Sequence, residues 1–227
     1  MGKKTVFAIA FILISTSLVL GYEIKDYYPL TQGDSWVYLV TADSSSSTEK
    51  VVIQGTEMVD DIEAVKIVSS PDEYELASID KEGLKHYKEV DGKEYEIFNP
   101  PMIIYPNIGI EETKDYVNKS VMYSEENISQ ENKISGKSKI MLLGIEDVEV
   151  PLKKFTNCLK FSCVYEWQQS HGLSGLDECT SWLAPGIGLV KEFCVYIKFP
   201  SNEKADISVG TVELISAYIG GEKIGKQ

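Results

Sequence analysis

The 227-residue chain contains no arginine, only two histidines, and almost no helical periodicity after residue 22. Every basic residue is lysine, and the formal net charge is −13. Nucleic-acid and phosphate sites favour the bidentate guanidinium of arginine, and a strongly acidic chain repels a phosphate backbone. The composition therefore argues against a nucleic-acid partner.

Catalytic and metal-binding patterns are also lacking. His86 lies among charged residues and is predicted to be solvated, and the loop around His171 lacks the Gly-x-Ser-x-Gly spacing of a nucleophile elbow. Acidic pairs do not follow a calcium-loop spacing, and no Cys-x-x-Cys is present. We therefore predict no catalytic residue, no metal site and no cofactor. Asn118 and Asn127 begin glycosylation sequons.

The N-terminus has the layout of a secretory signal peptide. Lys3 and Lys4 precede an uncharged apolar run over residues 6–20, which is shorter than the ~20 residues of a membrane-spanning helix. Cleavage after residue 21 would leave a mature domain, residues 22–227, with a net charge of −15 and no second apolar run long enough to span a bilayer. An uncleaved N-terminal anchor is the alternative. The expected location is secreted, or periplasmic in the cell envelope.

Cysteine is absent until the last third of the chain, where four residues cluster: Cys158, Cys163, Cys179 and Cys194. In an exported protein, clustered cysteines are expected to form disulfides. Folding of the strands about the loop at His171 brings Cys163 opposite Cys179, and folding about the turn at 185–188 brings Cys179 opposite Cys194. Side-chain alternation favours Cys163–Cys179, although a single bulge would reverse that preference.

Strand patterns recur along the whole mature chain. They predict an all-β, mainly antiparallel domain, forming a curved sheet, a half-barrel or a sandwich, behind a signal-peptide helix. In the segments 155–167 and 187–199 the odd positions are mostly apolar, which predicts that they face the core. The predicted strands are Ser35–Thr41, Glu49–Glu57, Glu63–Ser69, Tyr74–Ile79, Leu84–Val90, Lys93–Phe98, Lys137–Val150, Phe155–Trp167, Glu178–Leu183, Leu189–Phe199 and Ile207–Tyr218.

An internal repeat is suggested by three matching pieces in the same order. Residues 50–59 align without gaps on 139–148, residues 64–67 on 158–161, and Gly83-Leu84 on Gly188-Leu189. We interpret these as two similar β-meanders, roughly 31–98 and 107–218, joined by the proline-containing stretch 99–106. The repeated glycines, Gly55 and Gly144, are predicted to bend long strands.

Three segments resemble motifs of the DUF3108-like group of uncharacterised secreted bacterial β proteins. Residues 28–38 resemble "PLxxGxxWxY", residues 144–159 resemble "GxEDVxVPxGxFxxCL", and residues 182–191 resemble "WYAPGVGLVK". Lys153 and Leu183 depart from these patterns. The resemblance implies an exported β fold distantly similar to the half-barrel of lipoprotein carriers of the LolA and LolB type, without catalytic residues. Predicted structural positions are Gly33, Trp36, Tyr38, Gly144, Pro151, Phe155, Trp182, Pro185, Gly186 and Gly188.

These observations predict an exported, non-catalytic binding or carrier domain for an apolar ligand or a lipid-like group. A concave, partly open apolar face would favour this function, and a fully filled core would count against it. The alternative is a cell-envelope structural or protein-interaction module with an envelope protein as its partner. A hydrolase is the least favoured reading.

Overall fold

The computed structural model describes residues 21–124, 131–200 and 204–225. A 3₁₀ turn, Ile24–Asp26, is the only helical element in these ranges, and all other regular structure is β. The predicted signal peptide and its cleavage region lie outside the described residues, apart from Gly21. The strands are β1 (Ser35–Ala42), β2 (Ser45–Val59), β3 (Ile62–Ser70), β4 (Glu73–Asp80), β5 (Gly83–Asp91), β6 (Glu94–Pro106), β7 (Thr113–Ser124), β8 (Asn132–Glu149), β9 (Lys154–Gln169), β10 (Ser174–Ala184), β11 (Gly188–Phe199), β12 (Asp206–Ile219) and β13 (Glu222–Ile224).

The sheet closes on itself. Each strand from β1 to β12 pairs antiparallel with the next, and β1 also pairs with β12 from Ser35 opposite Tyr218 to Ala42 opposite Gly210. The all-β antiparallel prediction is confirmed, but the open curved sheet, half-barrel or sandwich is wrong. A closed twelve-strand barrel forms instead, because pairing of the first and last long strands leaves neither with a free edge. The short strand β13 adds to β12.

Three strand assignments differ from the prediction, because the short strand β13 was not predicted either. β7 was missed entirely, and β6 runs through Asn99-Pro100-Pro101, where the ladder was expected to stop. Ile97 lies opposite Lys88 and Met102 lies opposite His86, so residues 98–101 bulge out of the β5 ladder. The prolines have no N–H to donate, and in a bulge none is required. The stretch 99–106 is therefore part of β6 and does not connect two meanders.

The matched sequence pieces lie six strands apart in the barrel. Residues 50–59 belong to β2 and 139–148 to β8, and the later pieces fall in β3 and β9, then β5 and β11. The pairing register slips around Gly55 and at Gly144, which have φ values of 120° and 154°. The predicted bends are therefore confirmed as β-bulges. Common ancestry of the two halves stays a prediction.

The N-terminal segment fills one end of the barrel, which we call the closed end. Ile24 is fully buried in the main apolar cluster. The N–H groups of Gly186 and Gly188 donate to the carbonyls of Asp26 and Tyr27 at 2.9 and 2.8 Å. These bonds fix the segment against the β10–β11 turn. The opposite, open end carries the β1–β2, β3–β4, β5–β6 and β9–β10 connections.

The predicted inner face is confirmed for β9 and wrong for most of β11. Phe161 of β9 is buried and contacts the ring of Tyr105 across the barrel. In β11, however, Phe193 and Phe199 point outward and are 40% and 44% exposed. A bulge near the start of β11, where the register with β10 shifts, exchanges the two faces.

Candidate functional site

The motifs that carry the family resemblance meet at the closed end. The Trp36 Nε1–H donates to the carbonyl of Ile187 at 2.7 Å, and the Tyr38 hydroxyl donates to the carbonyl of Leu189 at 3.1 Å. Each bond joins residues 151 positions apart. The N–H of Gly33 donates to the carbonyl of Ile53 at 3.0 Å. These contacts join segments that are far apart in the sequence.

The remaining motif residues include buried, half-buried and exposed positions. Phe155 is buried in the main apolar cluster, near the β8–β9 connection that contains Pro151. Trp182 is half-buried, and its Nε1–H donates to the Glu146 carboxylate at 2.6 Å. Pro185 is exposed in the turn between β10 and β11.

The disulfide joins Cys179 to Cys194. The preference for Cys163–Cys179 is wrong, because the β11 bulge turns Cys194 to the face that Cys179 occupies. Cys158 and Cys163 are free thiols. Burial raises the pKa of each thiol to about 11. A raised pKa lowers the fraction of each cysteine that is present as the nucleophilic thiolate.

The two histidines do not form a catalytic set. His171 is exposed in the β9–β10 connection. His86 is not solvated as expected, since its Nε2 lies 3.3 Å from a carboxylate oxygen of Glu75 and its side chain is mostly covered. Within residues 21–124, 131–200 and 204–225 no group of three or more Cys, His, Asp or Glu is arranged to hold a metal ion.

Of the two predicted glycosylation sequons, the structure describes only the one at Asn118. Asn118 is buried, and its Nδ2 donates to the Ser138 hydroxyl at 2.9 Å. A folded chain does not present this side chain to a glycosylating enzyme. Asn127 lies outside the described residues.

An acidic ladder crosses the inner wall. Glu75, Glu89 and Glu96 are direct cross-strand partners on β4, β5 and β6. Glu75 also lies opposite Ile67, a core residue, so the row faces inward. Like charges in direct register destabilise a sheet. This ladder makes the open half of the interior acidic.

Burial raises the pKa of two carboxyls of this ladder, Glu89 and Glu96. Burial, followed by the charges of Glu75, Glu96 and Asp91, raises the pKa of Glu89 to about 7. Burial also raises the pKa of Glu96 and of Glu192, on the opposite wall, although hydrogen bonds from Ser120 and Ser181 act against the shifts.

A cavity of about 320 Å³ lies beside the ladder. Half of its lining is acidic and the rest is mixed: Glu49, Glu73, Glu75, Glu89, Asp91, Val51, Ile67, Ser69, Tyr74 and Val90. Among the described residues, the interior at this mouth is therefore lined largely by acids, and side chains fill the closed end. This arrangement does not match the concave apolar interior expected of an acyl-chain carrier.

The apolar concavities lie elsewhere, along the outside of β6–β10. The largest has a volume of about 620 Å³ and runs over β6–β9. It shares Ser135 and Gln168 with a neighbouring cavity of about 610 Å³, which in turn shares Val117 with one of about 470 Å³. We call this continuous surface the outer groove. Its apolar lining residues are Ile97, Tyr116, Val117, Val121, Ile134, Val164, Trp167, Leu176 and Phe199, and its charged lining residues are Lys119, Lys133, Lys137, Lys139, Asp115 and Glu166.

The outer groove was missed by sequence reasoning. β7 contributes Val117, Lys119 and Val121, and this strand was not predicted at all. A pattern was nevertheless available, because Lys133, Lys137 and Lys139 share one face of β8 at a period of two. Neighbouring lysines on an acidic chain would have marked that face.

No family model matches the chain, and no curated protein matches it. Among solved structures, the chain is similar to a protein from Bacteroides fragilis described as exported with a YmcC-like fold, at 13% identity and a TM-score of 0.49, covering 84% of this chain and 98% of that one. A protein from Parabacteroides distasonis described as a lipoprotein matches at 12% identity and a TM-score of 0.43, covering 84% of this chain and 97% of that one.

The hypothetical lipoprotein YmcC from Escherichia coli matches at 8% identity and a TM-score of 0.41, covering 80% of this chain and 84% of that one. Membership of the DUF3108-like group stays a prediction, and a relation to the LolA and LolB carriers receives no support from these matches. No helix in the described ranges is both long and apolar enough to cross a membrane.

Proposed function

We propose that this protein is an exported, non-catalytic domain that binds an anionic amphiphile, meaning an acyl chain with a negatively charged head, in the outer groove. The observation that carries the proposal is a connected apolar groove bordered by lysines on a strongly acidic protein. Its largest cavity, about 620 Å³, is within the size range of small-molecule sites.

Exposed apolar side chains support the acyl part of the ligand. Val117 is 63% exposed and Ile97 is 37% exposed, and Val121 lies half-buried near them. A contiguous apolar patch that is exposed to solvent usually marks a site where a protein binds another molecule. An acyl chain lying along these side chains would remove their apolar area from water.

Charge supports the anionic head. Four lysines line the groove against two acids, Asp115 and Glu166, so the lining is net basic although the whole chain has a formal net charge of −13. The field of the remaining surface would repel an anion, so a local group of lysines directs it to one place. Lysine stems can also lie along an acyl chain while the ammonium groups contact the head.

The interior is the less suitable location for this ligand. Side chains fill the closed end, and an anionic head at the open end would meet Glu75 and Glu89. A binding site in the barrel interior would therefore prefer a cationic or neutral polar molecule. The outer groove has the opposite preference, and this difference separates the two locations in an experiment.

The test measures binding of dodecanoate by isothermal titration calorimetry, below its micellar concentration. Dodecyltrimethylammonium and dodecyl maltoside serve as cationic and neutral probes with the same chain. We expect dodecanoate to bind most tightly, and Lys133→Glu and Val117→Asp each to weaken it at least about tenfold, or roughly 1.4 kcal/mol. Lys223→Glu, an exposed change at the closed end, is the matched control and should leave binding unchanged.

Two results would contradict the proposal. Equal affinity for all three probes would show nonspecific detergent binding. Dodecanoate binding that survives both groove substitutions would place the site elsewhere.

A second candidate, a protein-interaction module of the envelope, is favoured by the outer face of β11 and β12. Phe193, Phe199, Ile207 and Val209 are exposed there, and Ile207 lies opposite Ile197 while Val209 lies opposite Val195. A partner recovered from envelope extract by the wild type, and lost by Ile207→Lys, would support this role. Recovery that is unaffected by Ile207→Lys would argue against it.

A further inference from the structure

Three cysteines form one row across β9, β10 and β11. Cys163 lies directly opposite Cys179, and Cys179 lies directly opposite Cys194. Residues in direct register point to the same face of a sheet. Here that face is the interior. Ser181 and Glu192, each two residues from a cysteine of the row, are hydrogen-bonded to each other, and Ser181 lies opposite the inward-facing Phe161. The disulfide therefore has a free thiol beside it on the same surface.

The Cα separations from Cys179 to both of its neighbours are within the range that a disulfide spans. The Cα atoms of the bonded pair, Cys179 and Cys194, are 4.2 Å apart, as in a non-hydrogen-bonded pair. A residue in an antiparallel strand directs its N–H and C=O to one neighbour only. Cys163 and Cys179 are therefore the hydrogen-bonded pair, with Cα atoms about 5.5 Å apart, a usual separation for a disulfide.

Direct bonding of the outer two cysteines is excluded by the same geometry. Cys163 and Cys194 are separated by two strand spacings, roughly 9–10 Å. This distance exceeds the Cα separation that a disulfide can bridge. Any exchange within the row must therefore go through Cys179.

We propose that Cys163 is an internal exchange thiol that moves the disulfide from Cys179–Cys194 to Cys163–Cys179. The Cys163 thiolate attacks the Sγ of Cys179, the electron pair of the old S–S bond leaves with the Sγ of Cys194, and a proton passes from Cys163 to Cys194. One S–S bond breaks and one forms, so no external oxidant or reductant is needed. The row places the attacking, central and leaving sulfurs in sequence across the strands, as thiol–disulfide exchange requires.

The surroundings of Cys163 set a slow rate at neutral pH. Burial and the charges of Glu192 and Asp177 raise its pKa to about 11, and Tyr105 and Tyr165 also face it. Only a small fraction is thiolate near neutrality, which limits attack. Rearrangement on a scale of minutes to hours is expected for uncatalysed disulfides, and a higher pH should accelerate it.

Trypsin distinguishes the two isomers because it cuts after lysine. Cleavage at Lys160 and Lys191 leaves Cys163 and Cys179 on one peptide, residues 161–191, and Cys194 on another, residues 192–198. The first isomer links these peptides. The second gives an internal disulfide in 161–191 and a free Cys194.

The experiment incubates the folded protein at about pH 9, quenches samples over hours with acid and then N-ethylmaleimide, and maps the peptides by mass spectrometry. We expect the internal disulfide of 161–191 to appear together with alkylated Cys194 and to reach a constant fraction. Cys163→Ser should keep the linked peptides only. Cys158→Ser is the matched control, since Cys158 is on the same strand but lies opposite Glu146, and it should behave as wild type.

Cys194→Ser provides a separate test. Mild oxidation should give a 161–191 peptide lighter by two hydrogens, with no alkylated Cys163 or Cys179. The proposal is overturned if wild-type protein gives only linked peptides throughout the time course. It is equally overturned if folded Cys194→Ser keeps both thiols alkylatable. If Cys194→Ser does not fold, the wild-type time course decides alone.

Discussion

Glu89→Gln removes a carboxyl whose negative charge is unfavourable in the folded protein. The pKa of Glu89 is raised to about 7 by burial and then by Glu75, Glu96 and Asp91. A raised carboxyl pKa means that the folded state binds the proton more tightly than the unfolded state. Its contribution to stability is therefore complete below about pH 4.5 and is lost as the pH rises through about 7.

The size of the effect follows from the rise in the pKa of Glu89. A rise from 4.5 to about 7 corresponds to roughly 3 kcal/mol of free energy. The Glu89 side chain is nevertheless exposed to water at the barrel mouth, and solvent screening reduces such energies. We therefore expect Glu89→Gln to raise the free energy of unfolding by about 1 kcal/mol at pH 8 and to leave it nearly unchanged at pH 4.5.

The assay is urea unfolding at these two pH values, followed by circular dichroism. Glu178→Gln is the control, because Glu178 is exposed on β10 away from the ladder, and its effect should be small at both pH values. At pH 4.5 the Glu89 carboxyl is neutral in the folded protein, and a neutral amide should have nearly the same effect on stability. An equal effect of Glu89→Gln at pH 4.5 and pH 8 would therefore refute the reasoning.

Two further substitutions test the closed end and the barrel wall, both by urea unfolding. Trp36→Phe should lower the free energy of unfolding by about 3 kcal/mol, because it leaves the carbonyl of Ile187 without its donor and opens a small cavity; a loss below about 1 kcal/mol would contradict this. Gly83→Ala should cost more than about 3 kcal/mol, since φ is +129° and its Cβ would lie 2.0 Å from the carbonyl oxygen of Tyr105. Gly92→Ala, also at positive φ but in open space, should cost only about 1 kcal/mol, and equal costs would refute the role of the close approach.

Local patterns predicted much of the secondary structure. Alternation over 155–167 identified both β9 and its inner face, and the paired glycines Gly55 and Gly144 identified two bulges. These features depend on side-chain period and on φ, which neighbouring residues specify. Closure of the barrel depends on β1 meeting β12, some 180 residues away, and no local pattern contains that information.

The face of β11 shows why part of the candidate site was missed. Its apolar residues Phe193 and Phe199 were assigned to the core because apolar alternation usually marks the buried face. One bulge reversed the assignment, turned Cys194 inward and left the phenylalanines in water. The same reversal changed the disulfide partner of Cys179. A binding surface on the outside of a barrel gives the same alternating pattern as a core.

The seam between β1 and β12 has a consequence for biosynthesis. A ribosome delivers residues 35–42 first and residues 206–219 last among the barrel strands, so the ring cannot shut until nearly the whole polypeptide has emerged. Until then β1 and β11 both present unpaired edges, which are templates for aggregation. Such distant pairing also slows folding. A chain ending before residue 206 would keep both edges permanently open, and we expect it to be insoluble even though eleven of its strands are intact.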